Sequence, residues 1–525
     1  MECVTESKRS GPGRLYVVFW GITLFLVLGL QFFLIQRPFR GHFASYQGVM
    51  AEIGRNMIRE DFSEPLLPKT DLLIVLPTRS LHLNQYPLPS LLAALGVRWI
   101  GGGFEFWGRF QAIVFNLLSL LLMGGIATQW WGKRTGFFAA WLYLTAPFSI
   151  VYGQMFMSES IALFFLLSSF YLIERMAKDG AGPLKIVLAG LCFSVSALNR
   201  VHFVFLFPAF LYWAFKEGRK HKIGYAFLFC ALSGLLPLLW YGFTYCFGKG
   251  PEMLRVHTSL FFQMGAPGLT RFGDVFSMEY GKYLARIILF FMMTPVVWPF
   301  FVVGIRRIAG ERRFSVLYSL LAMTCLFLAF AMPQKILEQG FYFYGFFPFF
   351  VFVVAKGLDD VMDQQWFRKF RGPILLLYAL CVLRFSIPPL FFYPPEEKNI
   401  LVPTAQARAV SNPDDIFIVG GQGASAASYY LDRKMYGLQP QTSRSLATYY
   451  RKRPYDERSK DAIRSYETAA QDDITYVEYL RGKGASYVLI LDKPSSDFND
   501  RLIPYLCSRY RELSAEVDSF YLFKI

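Results

Sequence analysis

Between residues 15 and 393 the chain is a succession of apolar runs, most of them long enough to cross a bilayer, separated by short clusters of charge. The runs fall at roughly 15–35, 107–129, 135–153, 158–174, 183–199, 201–215, 223–247, 284–305, 314–332, 340–357 and 373–393. That makes about eleven spans, and their helical length points to an all-α polytopic membrane bundle. Composition agrees: 54% of the residues are hydrophobic and 18% charged, against about 25% charged in an ordinary soluble domain. The net charge of +16 does not indicate a nucleic-acid partner, because Lys and Arg edge the apolar runs and form no patch of their own.

Charge also orients the bundle. With a cytoplasmic N-terminus, the connections on that side carry Lys133-Arg134, then Arg175, Lys178 and Lys185, then Lys216, Arg219, Lys220 and Lys222. Arg306, Arg307, Arg312 and Arg313 follow, and then Lys356, Arg368, Lys369 and Arg371. The short connections on the opposite side hold only Arg200 and Lys335. This alternation is the positive-inside pattern, and it puts the C-terminal part of the chain outside. The first run follows Lys8, Arg9 and Arg14 but is too long for a signal-peptide core and lacks a small-residue cleavage site, so it reads as a retained anchor. The cysteines show neither a disulfide framework nor a C-x-x-C zinc spacing.

The expected organisation is a membrane domain, 1–394, with long outer loops at 36–106 and 248–283, followed by a small α/β domain, 395–525. In the first loop Tyr46, Val49, Met50, Ile53 and Met57 recur at helical spacing among polar residues, which predicts an amphipathic helix. A second is expected after Pro87, through Leu91, Leu92, Leu95 and Trp99. Beyond about residue 394, Ile416-Phe417-Ile418-Val419, Tyr487 to Leu491 and Phe520 to Phe523 read as strands, with helices near 424–431 and 474–481.

Two residues stand out for chemistry. Glu159 lies at the predicted outer mouth of the fourth span, where a carboxylate is costly unless it faces water or a partner. It also reads as a first-turn helix charge behind a Ser158 cap. Arg200 sits in the tight outer connection Leu198 to His202, where a guanidinium can grip a phosphate or snorkel to headgroups. Arg55, Arg255, Arg271 and Lys335 are the other outward cations; each alone is a solvated surface charge, and together they would suit an anionic lipid-linked ligand. His42 is a candidate acid or base. Gly420-Gly421-Gln422-Gly423 lacks a complete G-x-G-x-x-G and reads as a turn.

The order of these features resembles the polytopic GT-C glycosyltransferases, specifically the bacterial relatives of dolichyl-phosphate-mannose protein mannosyltransferases and of aminoarabinose transferases. Ala51 to Ile58 is similar to the family's first-loop helix, Tyr86-Pro87-Leu88-Pro89 to the Pro-rich stretch that follows it, and Met157-Ser158-Glu159-Ser160 to its acidic second outer loop. Phe341 to Pro348, including Tyr344, is similar to a late aromatic span, and Tyr429-Tyr430-Leu431-Asp432-Arg433 to a stretch in the outer domain of bacterial members. The resemblance implies sugar transfer from a polyprenyl-phosphate carrier to a glycan, lipid or protein acceptor on the periplasmic face of a bacterial inner membrane. A carboxylate base would drive an inverting displacement. Tyr86, Tyr344 and the outer cations would then hold donor and lipid phosphate.

The sequence departs from the family at one place. The register that usually carries an acid in the first loop holds Tyr46-Gln47, which leaves Glu159, Glu52 or His42 to serve as base. No cofactor is assigned; a divalent metal, Mg or Mn, would need an acid pair, and the second loop supplies a single acid. The rival readings are a transporter or flippase for lipid-linked saccharides, against which no internal repeat is visible, and a catalytically inactive GT-C-like assembly subunit, which Tyr46-Gln47 would fit.

Overall fold

A computed structural model describes residues 14–39, 44–73, 80–81, 86–179, 182–217, 222–247, 276–331, 340–391, 400–421, 424–438, 465, 468–469, 471–491, 501–514 and 520–525. The chain divides into two compact units. The first comprises Met1–Ile35, Ala112–Leu238 and Pro267–Phe391; the second comprises Gln36–Gln111, Leu239–Ala266 and Phe392–Ile525.

The first unit is a helical bundle, and each expected span coincides with helix. Among the described residues three helices are by themselves long and apolar enough to cross a membrane: Phe104–Trp131, Ile223–Phe243 and Gln365–Phe391. A fourth candidate is a broken pair, Met278–Met292 and Pro295–Gly310, bent by 80°. The remaining expected spans are shorter, interrupted or charged. The run 135–153 is split into Lys133–Thr145 and Pro147–Tyr152 because Pro147 has no N–H to continue the first helix and holds Ala146 extended, at φ −63° and ψ 135°. The run 201–215 opens as a 3₁₀ turn, Val201–Leu206, before the α-helix Phe207–Glu217.

Close packing in the bundle depends on small residues. Helices Trp298–Gly310 and Phe347–Val361 approach so nearly that a Cβ on Gly304 would strike the Val353 carbonyl and one on Gly357 the Phe300 carbonyl. Aromatic rings fill the interior, with Trp130 against Phe170, Phe314 and Phe352. At the end carrying the basic connections, Arg134 pairs with buried Asp359 and, at 2.9 Å, with Asp363, while the Thr135 hydroxyl donates to Asp359 at 2.7 Å.

The second unit corrects the expected boundary. The loop 36–106 belongs with the C-terminal α/β domain, because it supplies a strand and a helix to it. The sheet has the order β2 (Leu72–Leu73), β5 (Lys434–Leu438), β4 (Ile416–Gly420), β6 (Ala485–Leu491), β8 (Phe520–Lys524) and β7 (Arg511–Glu512). The first four strands run parallel, with Leu72 opposite Met435 and Phe417 opposite both Met435 and Tyr487; β8 is antiparallel to β6 and β7. β4 and β6 are almost wholly buried, as parallel strands covered on both faces should be. Helices Ala424–Leu431 and Asp473–Gly482 lie at the expected places. Gly421 turns the chain at φ +96° after β4, where a Cβ would meet the Leu491 carbonyl; Gln422 and Gly423 lie outside the described residues. Both amphipathic helices of the first loop are present, as Ala44–Arg59 and Leu88–Ile100.

Candidate functional site

In the bundle, helix Pro183–Asn199 starts on a proline and stops at Arg200, whose extended backbone (φ −140°, ψ 95°) breaks the helix before the 3₁₀ turn. Its neighbour, Glu159–Asp179, starts at Glu159. The Ser196 hydroxyl donates to the Ala162 carbonyl at 2.7 Å across the two helices, and this register brings the end of one to the start of the other. Glu159 and Arg200 therefore meet as an ion pair, their side chains only 1% and 7% exposed. The Arg200 guanidinium also lies 4.8 Å from the centre of the Phe341 ring, in the 3₁₀ turn Gly340–Phe343.

Further polar groups surround this pair. Tyr344 lies within electrostatic reach of Glu159. Its hydroxyl approaches the Asn116 side-chain oxygen at 3.4 Å, and the same oxygen accepts from the Tyr143 hydroxyl at 2.5 Å and from Ser149 at 3.3 Å. His202 is buried, its ring 4.7 Å from that of Tyr342, and its Nε2 has no hydrogen-bond partner among the described residues. His202 is the residue that sequence reasoning passed over. The available signal was a second polar side chain two positions from Arg200 in an otherwise apolar connection.

The second unit takes up two other candidates. Glu52, fully buried, accepts the Asp71 backbone N–H and the Ser428 hydroxyl. Burial first, and then the Asp71 carboxylate, raise the Glu52 carboxyl to about 7, against the opposing pull of Arg55. Arg55 reaches Asp71 at 2.7 Å, the Tyr429 carbonyl at 2.6 Å and Asp432 at 2.7 Å, and Arg59 joins Asp432 at 2.6 Å. Phe39 donates its N–H to the Tyr430 hydroxyl at 2.8 Å. The Tyr-Tyr-Leu-Asp-Arg stretch is thus the anchor that fastens helix Ala44–Arg59 to the sheet domain. Tyr86 packs edge-on to Trp240 at 5.1 Å. Gln47 is buried, and a Cβ on Gly48 would sit 3.1 Å from the Ala426 Cα, a tight approach. His42, Arg255, Arg271 and Lys335 lie outside the described residues. Among the described residues no three His, Cys, Asp or Glu side chains converge to hold a metal, and the partner of Glu159 is a cation, not a second acid.

Residues 84–241, which include Glu159 and Arg200, match the family model described as dolichyl-phosphate-mannose-protein mannosyltransferase. The structure is similar to that of ArnT from Cupriavidus metallidurans in the apo state, with a TM-score of 0.63 at 12% identity over 97% of both chains. The form of ArnT bound to undecaprenyl phosphate gives a TM-score of 0.61 at 12% identity, again over 97% of each chain. The fold is that of the GT-C glycosyltransferases. An oligosaccharyltransferase from Archaeoglobus fulgidus, tethered to an acceptor peptide containing the NVT sequon, is similar at a TM-score of 0.55 and 12% identity, over 90% of this chain and 69% of its own. A search of curated proteins finds no match. These structures show the fold of the chain, and the mannosyltransferase family match covers residues 84–241 of its 525.

Proposed function

We propose that the chain transfers a sugar from a polyprenyl-phosphate carrier to an acceptor hydroxyl, with Glu159 as base and Arg200 as the phosphate clamp. The buried Glu159–Arg200 ion pair carries this reading. A paired carboxylate and guanidinium in a membrane bundle are costly to keep, and such groups persist where a ligand uses them. The undecaprenyl phosphate bound by ArnT, a protein of the same fold, supports a lipid phosphate as the group that Arg200 receives.

The chemistry follows from the pair. An arriving phosphate competes for the Arg200 guanidinium, which matches its oxygens in a bidentate fork. Glu159, relieved of its partner, takes the proton of the acceptor hydroxyl. The acceptor oxygen then bonds to the anomeric carbon from the face opposite the carrier, the carbon–oxygen bond to phosphate breaks, and configuration inverts. Arg200 neutralises the charge gathering on the departing phosphate, and Phe341 holds the guanidinium plane while it does so. We place this face of the bundle, with the sheet domain, on the periplasmic side of a bacterial inner membrane, on the charge alternation of the connections. The acceptor is a glycan, lipid or protein.

The test is turnover of a panel of undecaprenyl-phosphate-linked sugars by the purified full chain, read as release of undecaprenyl phosphate. Wild type should turn over, and Glu159→Gln should lose roughly 10²–10⁴-fold. Full turnover in both Glu159→Gln and Arg200→Ala would remove the assignment. The buried Gln47 favours a second reading, an inactive assembly subunit, since it occupies the register where the resemblance implies a carboxylate. Absence of turnover across the panel, with Gln47→Asp restoring it, would decide for that reading.

A further inference from the structure

At the end of the bundle marked by Arg306 and Arg307, a crevice of about 290 Å³ opens between helices Trp298–Gly310, Arg312–Ala331 and Phe347–Val361. Phe301, Ile305, Ala322 and Phe350 give it an apolar wall, and Tyr318 and Ser319 are among its few polar lining residues. The Tyr318 hydroxyl oxygen is buried and has no hydrogen-bond partner among the described residues. An orphaned buried hydroxyl is destabilising, so a ligand that brings an acceptor to it gains what the protein alone forgoes. In sequence the connection between the first two of these helices is flanked by Arg306 and Arg307 on one side and Arg312 and Arg313 on the other. Arg307 is held by Asp360 at 3.0 Å, while the Arg306 side chain is exposed.

From this combination we infer that the crevice is a binding site for an anionic diacyl phospholipid, separate from the Glu159–Arg200 centre. An acyl chain lies along Phe301, Ile305 and Phe350, an ester carbonyl accepts from the Tyr318 hydroxyl, and the phosphate rests against the exposed Arg306. Basic crevices between membrane helices recognise anionic headgroups in this way. A polyprenyl phosphate has the charge and the tail but no ester carbonyl for Tyr318, and phosphatidylcholine has the ester but not the net charge, so both are set against it.

Native mass spectrometry of the full-length protein, incubated with phosphatidylglycerol, phosphatidylcholine or undecaprenyl phosphate, tests this. The protein should retain one phosphatidylglycerol in preference to phosphatidylcholine. Arg306→Ala should reduce its occupancy roughly fivefold, the loss expected for one cation near an anionic headgroup. Ala322→Trp, which fills the crevice from an exposed position, should abolish retention, and Ser319→Phe serves as a second filling variant should the first fold poorly. Tyr318→Phe should weaken retention, whereas Glu159→Gln should leave it unchanged even if sugar transfer is lost. Equal retention of phosphatidylcholine, retention that survives both filling variants, or loss of undecaprenyl phosphate in place of phosphatidylglycerol from Ala322→Trp would overturn the assignment.

Discussion

Removing one partner of a buried ion pair costs roughly 3–5 kcal/mol, while replacing both with apolar groups is often close to neutral. Glu159 and Arg200 permit that comparison. Glu159→Gln alone and Arg200→Met alone should each lower the melting temperature, and the double variant should regain most of the loss. If the pair serves transfer, the restored double variant remains inactive; a purely structural pair would leave it active. Glu52 offers a second reading at this scale, through pH. Its folded carboxyl is raised from 4.5 to about 7, so the native state holds a proton that the unfolded chain has released. Its contribution is fully present below about pH 4.5 and is lost as pH rises through 7. Thermal unfolding should therefore show stability falling across that window in wild type, and Glu52→Gln should flatten the slope. The sequence made Glu159 and Arg200 legible because charge is rare in an apolar run. It did not reveal that they pair, since their meeting depends on the Ser196–Ala162 contact between helices. Glu52 and Arg55 read as site residues because their partners, Ser428 and Asp432, are far along the chain.

Elements were readable where periodicity was strong. The helix Ala44–Arg59 and strands β4 and β6 stood out by spacing and by continuous apolar runs. β5, Lys-Met-Tyr-Gly-Leu, escaped because its glycine and lysine weaken the strand signal, and β2 is too short to give one. The anchor between helix and sheet makes a direct prediction. Asp432→Ala deprives Arg55 and Arg59 of a shared carboxylate and should destabilise this unit by on the order of 1–3 kcal/mol, seen as earlier proteolysis of the first loop. In the bundle, Gly357→Val should overpack against the Phe300 carbonyl, cost about 1–3 kcal/mol and lower the melting temperature, whereas the same change at Gly242, which has open space, should be tolerated.

For the molecule as a whole, hydropathy identified the membrane bundle and composition identified the sheet domain. Hydropathy could not show that two spans are broken at Pro147 and before Pro295, because an average over a window is blind to a local backbone break. Nor could it assign loop 36–106 to the sheet domain, whose β2–β5 pairing is set by hydrogen bonds between distant segments. A truncation ending at Phe391 should accordingly fail to give a stable protein even though it retains every expected span, and co-expression of 392–525 should rescue it, as measured by yield of monodisperse material.

The bond between Arg55 and the Tyr429 carbonyl joins residues 374 positions apart. At a synthesis rate of roughly 5–20 residues per second, the helix that carries Arg55 emerges on the order of tens of seconds before the strand and tyrosines it must grip. Throughout that interval an apolar helical face and a template edge two residues long wait unmatched. The first loop therefore completes its fold only once the last quarter of the polypeptide has been made.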